Sequence, residues 1–196
     1  MRQIRYGVAM SLDGYIADAN GGFDWIVSDP DIDFAAIMAR YDTLLMGRRT
    51  YEVTQSMAGG GGSMSGVKSV VVSRTLQQRD HPDVTILSDQ WEDAVREMRE
   101  QEGKDIWLFG GGALFAAMLD AGLVDGVDAA IIPVLVGGGI PFLRPPANRA
   151  ALKLTSHRLY PKSGIVSLEY DVLRPGQRKA PRSRTARVRR GTGRDG

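Results

Sequence analysis

The chain of 196 residues contains no cysteine. A disulfide framework, a thiol nucleophile and a cysteine-ligated metal are therefore excluded. Histidine is almost missing as well, with His81 and His157 the only two. His81 sits in a polar Arg-Asp-His-Pro stretch that reads as a solvated loop, and His157 falls in a strand pattern. Neither has a second ligand at metal-binding spacing, so no metal is expected. No apolar run approaches the ~18 residues that a membrane span needs. The opening Met1-Arg-Gln-Ile-Arg-Tyr-Gly-Val-Ala is too short and too interrupted by charge to read as a secretion signal. These absences point to a cytoplasmic protein without membrane contact. Ser63 and Ser65 lie in a Gly/Ser/Met stretch with no base near them, which argues against a nucleophilic serine.

Acidic residues run short in one place only. Residues 174–196 hold nine of the 25 Lys/Arg, one of the 23 Asp/Glu (Asp195) and no aromatic side chain. Residues 1–173 keep the other 16 basic and 22 acidic groups, a net charge of −6. The basic balance thus belongs to a tail, which has too few apolar residues to fold and is expected to be disordered. The tail suggests a loose electrostatic attraction to nucleic acid or anionic lipid, and a functionless extension is the plainer reading. Residues 1–173 are expected to form one domain, long enough to bury roughly two thirds of its unfolded surface.

Within that domain short apolar runs alternate with helical patterns. Strands are expected at Ile4–Met10, Thr43–Met46, Lys68–Ser73, Val84–Leu87, Asp105–Phe109 and Gly126–Val136. Helices are expected at Phe34–Tyr41, Gly47–Gln55, Trp91–Gln101 and Gly112–Ala121. A polar loop covers Ser11–Trp25, a flexible one Ala58–Gly66, and Leu152–Tyr160 with Ile165–Leu173 form a hairpin across Pro161–Gly164. The alternation predicts an α/β fold with a central, mostly parallel sheet, flanking helices and a C-terminal antiparallel hairpin.

Ligands of such sheets bind at the carboxyl ends of the strands. Three of those ends carry one chemistry. Trp107-Leu-Phe109 runs into Gly110, Gly111 and Gly112, and a helical pattern starts at once. Glycines let a ligand approach the backbone, and a helix N-terminus favours phosphate. Gly47-Arg48-Arg49-Thr50 and Ser73-Arg74-Thr75 add guanidinium forks and hydroxyls that match phosphate oxygens. A dinucleotide with an extra 2′-phosphate suits this set. The glycine motif is not the ordinary dinucleotide fingerprint, because Phe115 stands where a third spaced glycine belongs and the motif comes late in the chain.

Ser11-Leu-Asp-Gly-Tyr-Ile-Ala17, Asp42-Thr-Leu-Leu-Met-Gly-Arg-Arg-Thr-Tyr-Glu52, Val70-Val-Val-Ser-Arg74, Phe109-Gly-Gly-Gly112 and Val134-Leu-Val-Gly-Gly-Gly-Ile-Pro-Phe142 occur in that order. This set resembles the dihydrofolate reductase-like superfamily, and within it the branch of the riboflavin-biosynthesis reductase (RibD C-terminal) domain, over about residues 2–173. The resemblance implies NADPH as cofactor and hydride transfer to a small heterocycle, of pterin or ribosylamino-pyrimidine type. It implies that Ala9 and Ile16 contact the nicotinamide, and that Gly47, Arg48, Arg49 and Thr50 grip the pyrophosphate and 2′-phosphate. Ser73 and Arg74 would lie beside the adenosine phosphate. Phe109, Gly110, Gly111, Gly112, Ala113, Leu114 and Phe115 would pack against the cofactor, and Leu12–Asp24 would form a lid. Asp31 matches the catalytic, substrate-holding carboxylate, with Asp29 and Asp33 as competitors and a role in capping the next helix as the plainer alternative for each.

A carboxylate there is expected in a closed apolar cleft with a raised pKa. Trp25 is a candidate to pack against nicotinamide or substrate. The family's substrate-binding threonine is replaced by Ala130, a departure from the dihydrofolate-reducing pattern. The family's riboflavin-type members imply a homodimer through the last strands. The alternative function is an NADPH-binding module without turnover, such as a redox sensor.

Overall fold

The computed structural model describes residues 1–57 and 66–174. The expected flexible loop (except Gly66) and the basic tail beyond Arg174 lie outside the described residues. Ten strands and four α-helices follow one another: β1 (Ile4–Ser11), β2 (Tyr15–Ala17), α1 (Phe34–Met38), β3 (Tyr41–Gly47), α2 (Arg48–Met57), β4 (Lys68–Val72), β5 (Thr85–Leu87), α3 (Trp91–Glu100), β6 (Asp105–Gly110), α4 (Gly112–Asp120), β7 (Gly126–Ile132), β8 (Ile140–Pro141), β9 (Ala151–Tyr160) and β10 (Ile165–Leu173). Eight of the strands build one sheet in the order β5-β4-β3-β6-β1-β7-β10-β9. The first six in that order run parallel, and β10 and β9 add the antiparallel end.

Period-two alternation explains why this sheet has two cores. Along β3, Leu45 joins Ile4, Tyr6, Ile106, Leu108, Phe115 and Met118 on one face. Its neighbours Leu44 and Met46 join Tyr41, Val71 and Trp107 on the other. The first core is closed by α3 and α4. Burial there pushes the Tyr6 phenol pKa up, and its ring stacks on Phe115 at 3.9 Å. At the amino-terminal ends of the strands, Arg99 of α3 grips Asp125 with contacts of 2.7 and 2.8 Å, and Arg2 pairs with Asp42.

The expected elements are all present, with four shifts in detail. The helix after the acidic stretch stops at Met38 rather than Tyr41, because Tyr41 enters the parallel ladder opposite Asp105. The second helix starts at Arg48 and continues to Met57. The strand expected to reach Val136 ends at Ile132, since Pro133 has no N–H for the ladder. The segment expected as a lid is not a plain loop. Its β2 pairs with β8 in a separate two-stranded sheet. No helix among the described residues is long and apolar enough to cross a membrane.

Candidate active site

The carboxyl ends of β3, β4 and β6 are neighbours, because Gly47 pairs with Val72 and Met46 pairs with Gly110. This register brings three of the sequence segments together at one rim. Gly47 faces Leu114 and the Gly110 carbonyl, at 3.8 and 3.9 Å from where its Cβ would stand. The Thr50 hydroxyl sits 3.4 Å from the corresponding point of Gly111. Gly110 closes β6 with φ +135°, a conformation that side chains disfavour. Gly111 is the N-cap of α4 and offers no capping side chain, so the first N–H groups of that helix remain available.

The individual candidates differ in what they can offer. Arg48 is engaged with Glu52 one turn on, at 2.8 Å. Arg49 and Arg74 are exposed and make no hydrogen bond or ion pair among the described residues. Ser73 is buried, and its Oγ accepts from the N–H groups of Thr75 and Leu76, so it shapes the turn after β4. Ala113 is exposed at the helix start. Leu114 and Phe115 point into the core instead, so they fix α4 and leave only backbone to the rim. Phe109 packs edge-on against Trp107 at 5.3 Å. Gly112 serves packing, because a Cβ there would overlap the Pro141 carbonyl of β8.

On the neighbouring part of the sheet, Ala9 pairs with Ala130. Both pack beside Trp25, Ile32 and Val134 against the small cluster Ile132, Tyr160 and Ile165. The Trp25 indole N–H is buried there without a hydrogen-bond partner. Ile16 lies half-buried on β2.

The segment expected as a lid is held at its root by Asp13, which reads in the sequence as a turn residue of Asp13-Gly14 first and as a hydrogen-bonding group within the loop second. Its carboxylate accepts from Ser11 Oγ at 2.6 Å and from the N–H groups of Val136 and Gly137 at 3.1 and 2.7 Å. These bonds, that of Ser11 first, lower its pKa from 3.8 to about 2. The folded form binds the proton less readily than the unfolded chain. Its stabilising contribution is therefore complete above about pH 4 and lost as the pH falls toward 2. In Asp13→Asn the Gly137 amide is expected to exchange faster with deuterium at neutral pH, and the difference from wild type to vanish near pH 2. Equal exchange at neutral pH would show that the carboxylate does not hold the lid.

The acidic stretch departs from expectation. Asp31 is exposed and its carboxylate pairs with Lys162 at 2.9 Å, on the turn between β9 and β10. It is not enclosed in an apolar cleft. Asp29 is the buried one, at 4% exposure. Its oxygens accept from Asp31 N–H at 2.9 Å and Ser163 N–H at 3.0 Å. The Ser163 side chain first, then the Asp31 and Ser163 N–H groups, hold its pKa below the usual carboxylate value rather than above it. Asp33 caps α1 by accepting from Ala36 N–H at 2.8 Å. The charge and hydrogen-bonding capacity of this stretch go into docking the β9–β10 turn and starting a helix.

Residues 2–166 match the model of the RibD C-terminal domain family. The uncharacterized protein YyaP of Bacillus subtilis (strain 168) is 31% identical over 179 residues, covering 86% of this chain and 94% of that protein. Among solved structures, a Shewanella sp. PV-4 protein assigned to riboflavin biosynthesis superposes with a TM-score of 0.73 at 25% identity, covering 89% of this chain and 100% of that one. The dihydrofolate reductase of Enterococcus faecalis, solved with NADP(H), superposes with a TM-score of 0.61 at 17% identity, covering 87% and 94%. That last likeness carries the fold alone, which is the dihydrofolate reductase-like α/β fold. With five ordered motifs, the strand order and a family match spanning almost all the described residues in agreement, the chain belongs to the RibD C-terminal domain family.

Proposed function

We propose that the chain is an NADPH-dependent reductase that transfers a hydride to a small heterocycle of pterin or pyrimidine type. The observation that carries this reading is the meeting of Gly47–Thr50, Ser73–Arg74 and Gly110–Gly112 at one rim of the sheet. The groups present fit a phosphorylated dinucleotide. Arg49 and Arg74 have guanidinium donors without a partner among the described residues, Thr50 has a hydroxyl beside Gly111, and α4 has no side-chain cap at its N-terminus. NADPH, when bound, supplies the hydride. The protein's part is to hold the phosphates, to offer the small-residue surface at Ala9 and Ala130, and to keep water off it with the lid.

Quenching of tryptophan fluorescence tests the cofactor before any substrate is known. NADPH is expected to bind at least about tenfold more tightly than NADH, a difference of about 1.4 kcal/mol. The double variant Arg49→Ala, Arg74→Ala is expected to bring the two cofactors within about twofold of each other. Equal affinity in the wild type would remove the assignment of these arginines. Oxidation of NADPH against a panel of pterins and pyrimidines then separates a reductase from a binding module. The second reading has one observation in its favour: Asp31, the expected catalytic carboxylate, is exposed and paired with Lys162.

We further propose that two copies pair along β9. That strand ends the sheet and exposes Leu152, Leu154 and Leu159 at 43%, 48% and 60%. An uncovered apolar edge strand invites pairing with another chain. Sedimentation is expected to report a dimer, and Leu154→Lys with Leu159→Lys to shift it to monomer. A wild-type monomer at micromolar concentration would remove this proposal.

A further inference from the structure

The acidic stretch before α1 is occupied, so a substrate-reading carboxylate must be sought on the sheet itself. Across β1, β7 and β10 the register sets Ala9, Ala130 and Ser167 in one row, and Gly7, Asp128 and Glu169 in the next toward the amino-terminal ends. The rows are two residues apart, about 6.6 Å along the strands. Directly paired residues share a face. The first row presents two methyl groups and a hydroxyl; the second presents two carboxylates side by side.

These two carboxylates are not equivalent. Asp128 accepts from Arg5 through both oxygens, the shortest contact being 2.6 Å, and from the Tyr41 hydroxyl at 3.3 Å. Among the described residues Glu169 has only an ion pair with Arg40 at 3.6 Å, and Arg40 also pairs with Asp128 at 3.7 Å. The side chains of Arg40, Glu169 and Ser167 make no hydrogen bond among the described residues. Like charges directly opposed on a sheet are unfavourable. The fold thus carries a second carboxylate held by one long ion pair and no hydrogen bond among the described residues, next to a guanidinium whose own ion pairs are as long, at 3.6 and 3.7 Å.

We propose that Glu169 and Arg40 read the substrate, with Glu169 accepting from a ring N–H and Arg40 donating to the adjacent carbonyl. The ligand class is a heterocycle with a lactam or ureide edge, lying over Ala130 and Ser167. This proposal rests on the reductase reading above and gives it a substrate-reading pair that the sequence motifs do not contain. A donor and an acceptor side by side match that edge and reject a ring alkylated at nitrogen. Ser167, directly opposite Ala130, supplies the hydroxyl that Ala130 lacks.

Calorimetry on the full chain saturated with NADP⁺ tests it, with 5,6-diaminouracil and its 1,3-dimethyl analogue as probes. The wild type is expected to bind diaminouracil at least about tenfold more tightly than the dimethyl compound, because the latter leaves the carboxylate unpaired. Glu169→Ala is expected to bind the two alike, within about threefold, and Arg40→Ala to weaken diaminouracil about tenfold. Asp31→Asn is expected to behave as wild type, and all three variants to keep wild-type melting and NADP⁺ affinity. Loss of a simple structural contact would lower both pyrimidines together and not erase the discrimination. The proposal is overturned if Glu169→Ala still discriminates, if Asp31→Asn loses discrimination, or if NADP⁺ binds and diaminouracil does not. Failure of NADP⁺ itself to bind removes the reductase reading, and this proposal with it.

Discussion

Gly111→Ala is expected to leave the fold intact and to lose tight NADPH binding, whereas Gly112→Ala is expected to destabilise the fold itself. The two glycines are adjacent, yet their surroundings differ. A Cβ on Gly111 would meet only the Thr50 hydroxyl, at 3.4 Å, an oxygen that can shift with its rotamer. The added methyl would stand at the open rim where the cofactor phosphates are proposed to lie, and the expected loss is at least about tenfold in affinity. A Cβ on Gly112 would overlap the backbone carbonyl of Pro141, and Phe142 O lies 3.1 Å away. Backbone cannot step aside cheaply, and overpacking of this kind costs about 1–3 kcal/mol. For a domain of this size that lowers the melting temperature by roughly 2–10 °C. Because β8 carries the partner of the lid strand β2, the lid in Gly112→Ala should also show faster amide exchange. Thermal melting and NADPH titration of the two variants check both statements. Gly111→Ala with wild-type affinity would place the cofactor elsewhere.

The second large effect is expected at Asp128. Arg5 is buried, its side chain only 6% exposed, and it lies over Gly126, where a side chain would collide with the guanidinium. Asp128 accepts its three shortest hydrogen bonds, at 2.6, 3.0 and 3.2 Å, and so keeps the Arg5 charge strongly favoured, despite burial that opposes it. Asp128→Ala leaves that guanidinium with Asp171 at 3.5 Å and the Tyr170 carbonyl at 3.3 Å. Breaking a buried pair from one side costs about 3–5 kcal/mol. Asp128 is slightly more open than Arg5, which places the expectation near the lower end. Urea denaturation measures it. The double variant Arg5→Met, Asp128→Leu is expected to recover much of the loss, since apolar groups of similar volume need no partner. A loss below about 1 kcal/mol in the single variant would mean that water already solvates Arg5.

Tyr41 belongs to the same cluster. Burial first, then the neighbouring Asp128, pushes its phenol pKa up. The aspartate thus ties β1, β3 and β7 on the face that also carries Ala9 and Ala130.

How much of this was legible in the residues varies from element to element. Leu44-Leu45-Met46 and Ile106-Trp107-Leu108 read as buried strands because apolar groups are needed on both faces, and both are found. The glycine- and arginine-bearing turns were legible as strand ends because each is contiguous: a glycine, a hydroxyl or an arginine directly after a strand. Asp13 was visible as a turn residue or a hydrogen-bonding group inside its own loop, but its partners Val136 and Gly137 are remote in sequence and were not. The lid's pairing with β8 was not legible either, as a two-residue strand has no periodicity to detect. Asp31 was placed by motif spacing, which gives the position along the chain but not the Lys162 ammonium that meets it from another hairpin. The pair Arg40 and Glu169 has no local signature at all, because it arises only when β10 is laid beside β7.

The amino-acid order by itself determined the alternation of strands and helices, the two-sided burial of the central strands and the glycine- and arginine-bearing turns. Those properties depend on neighbours within a few residues, whose spacing sets backbone conformation and which face each side chain takes. Only the tertiary structure decided which charges remain available, since a carboxylate is spent or free according to partners that the register brings from distant strands. Asp29, Asp31 and Asp128 were claimed in that way by hydrogen bonds, and Glu169 was left with a single ion pair to Arg40 at 3.6 Å.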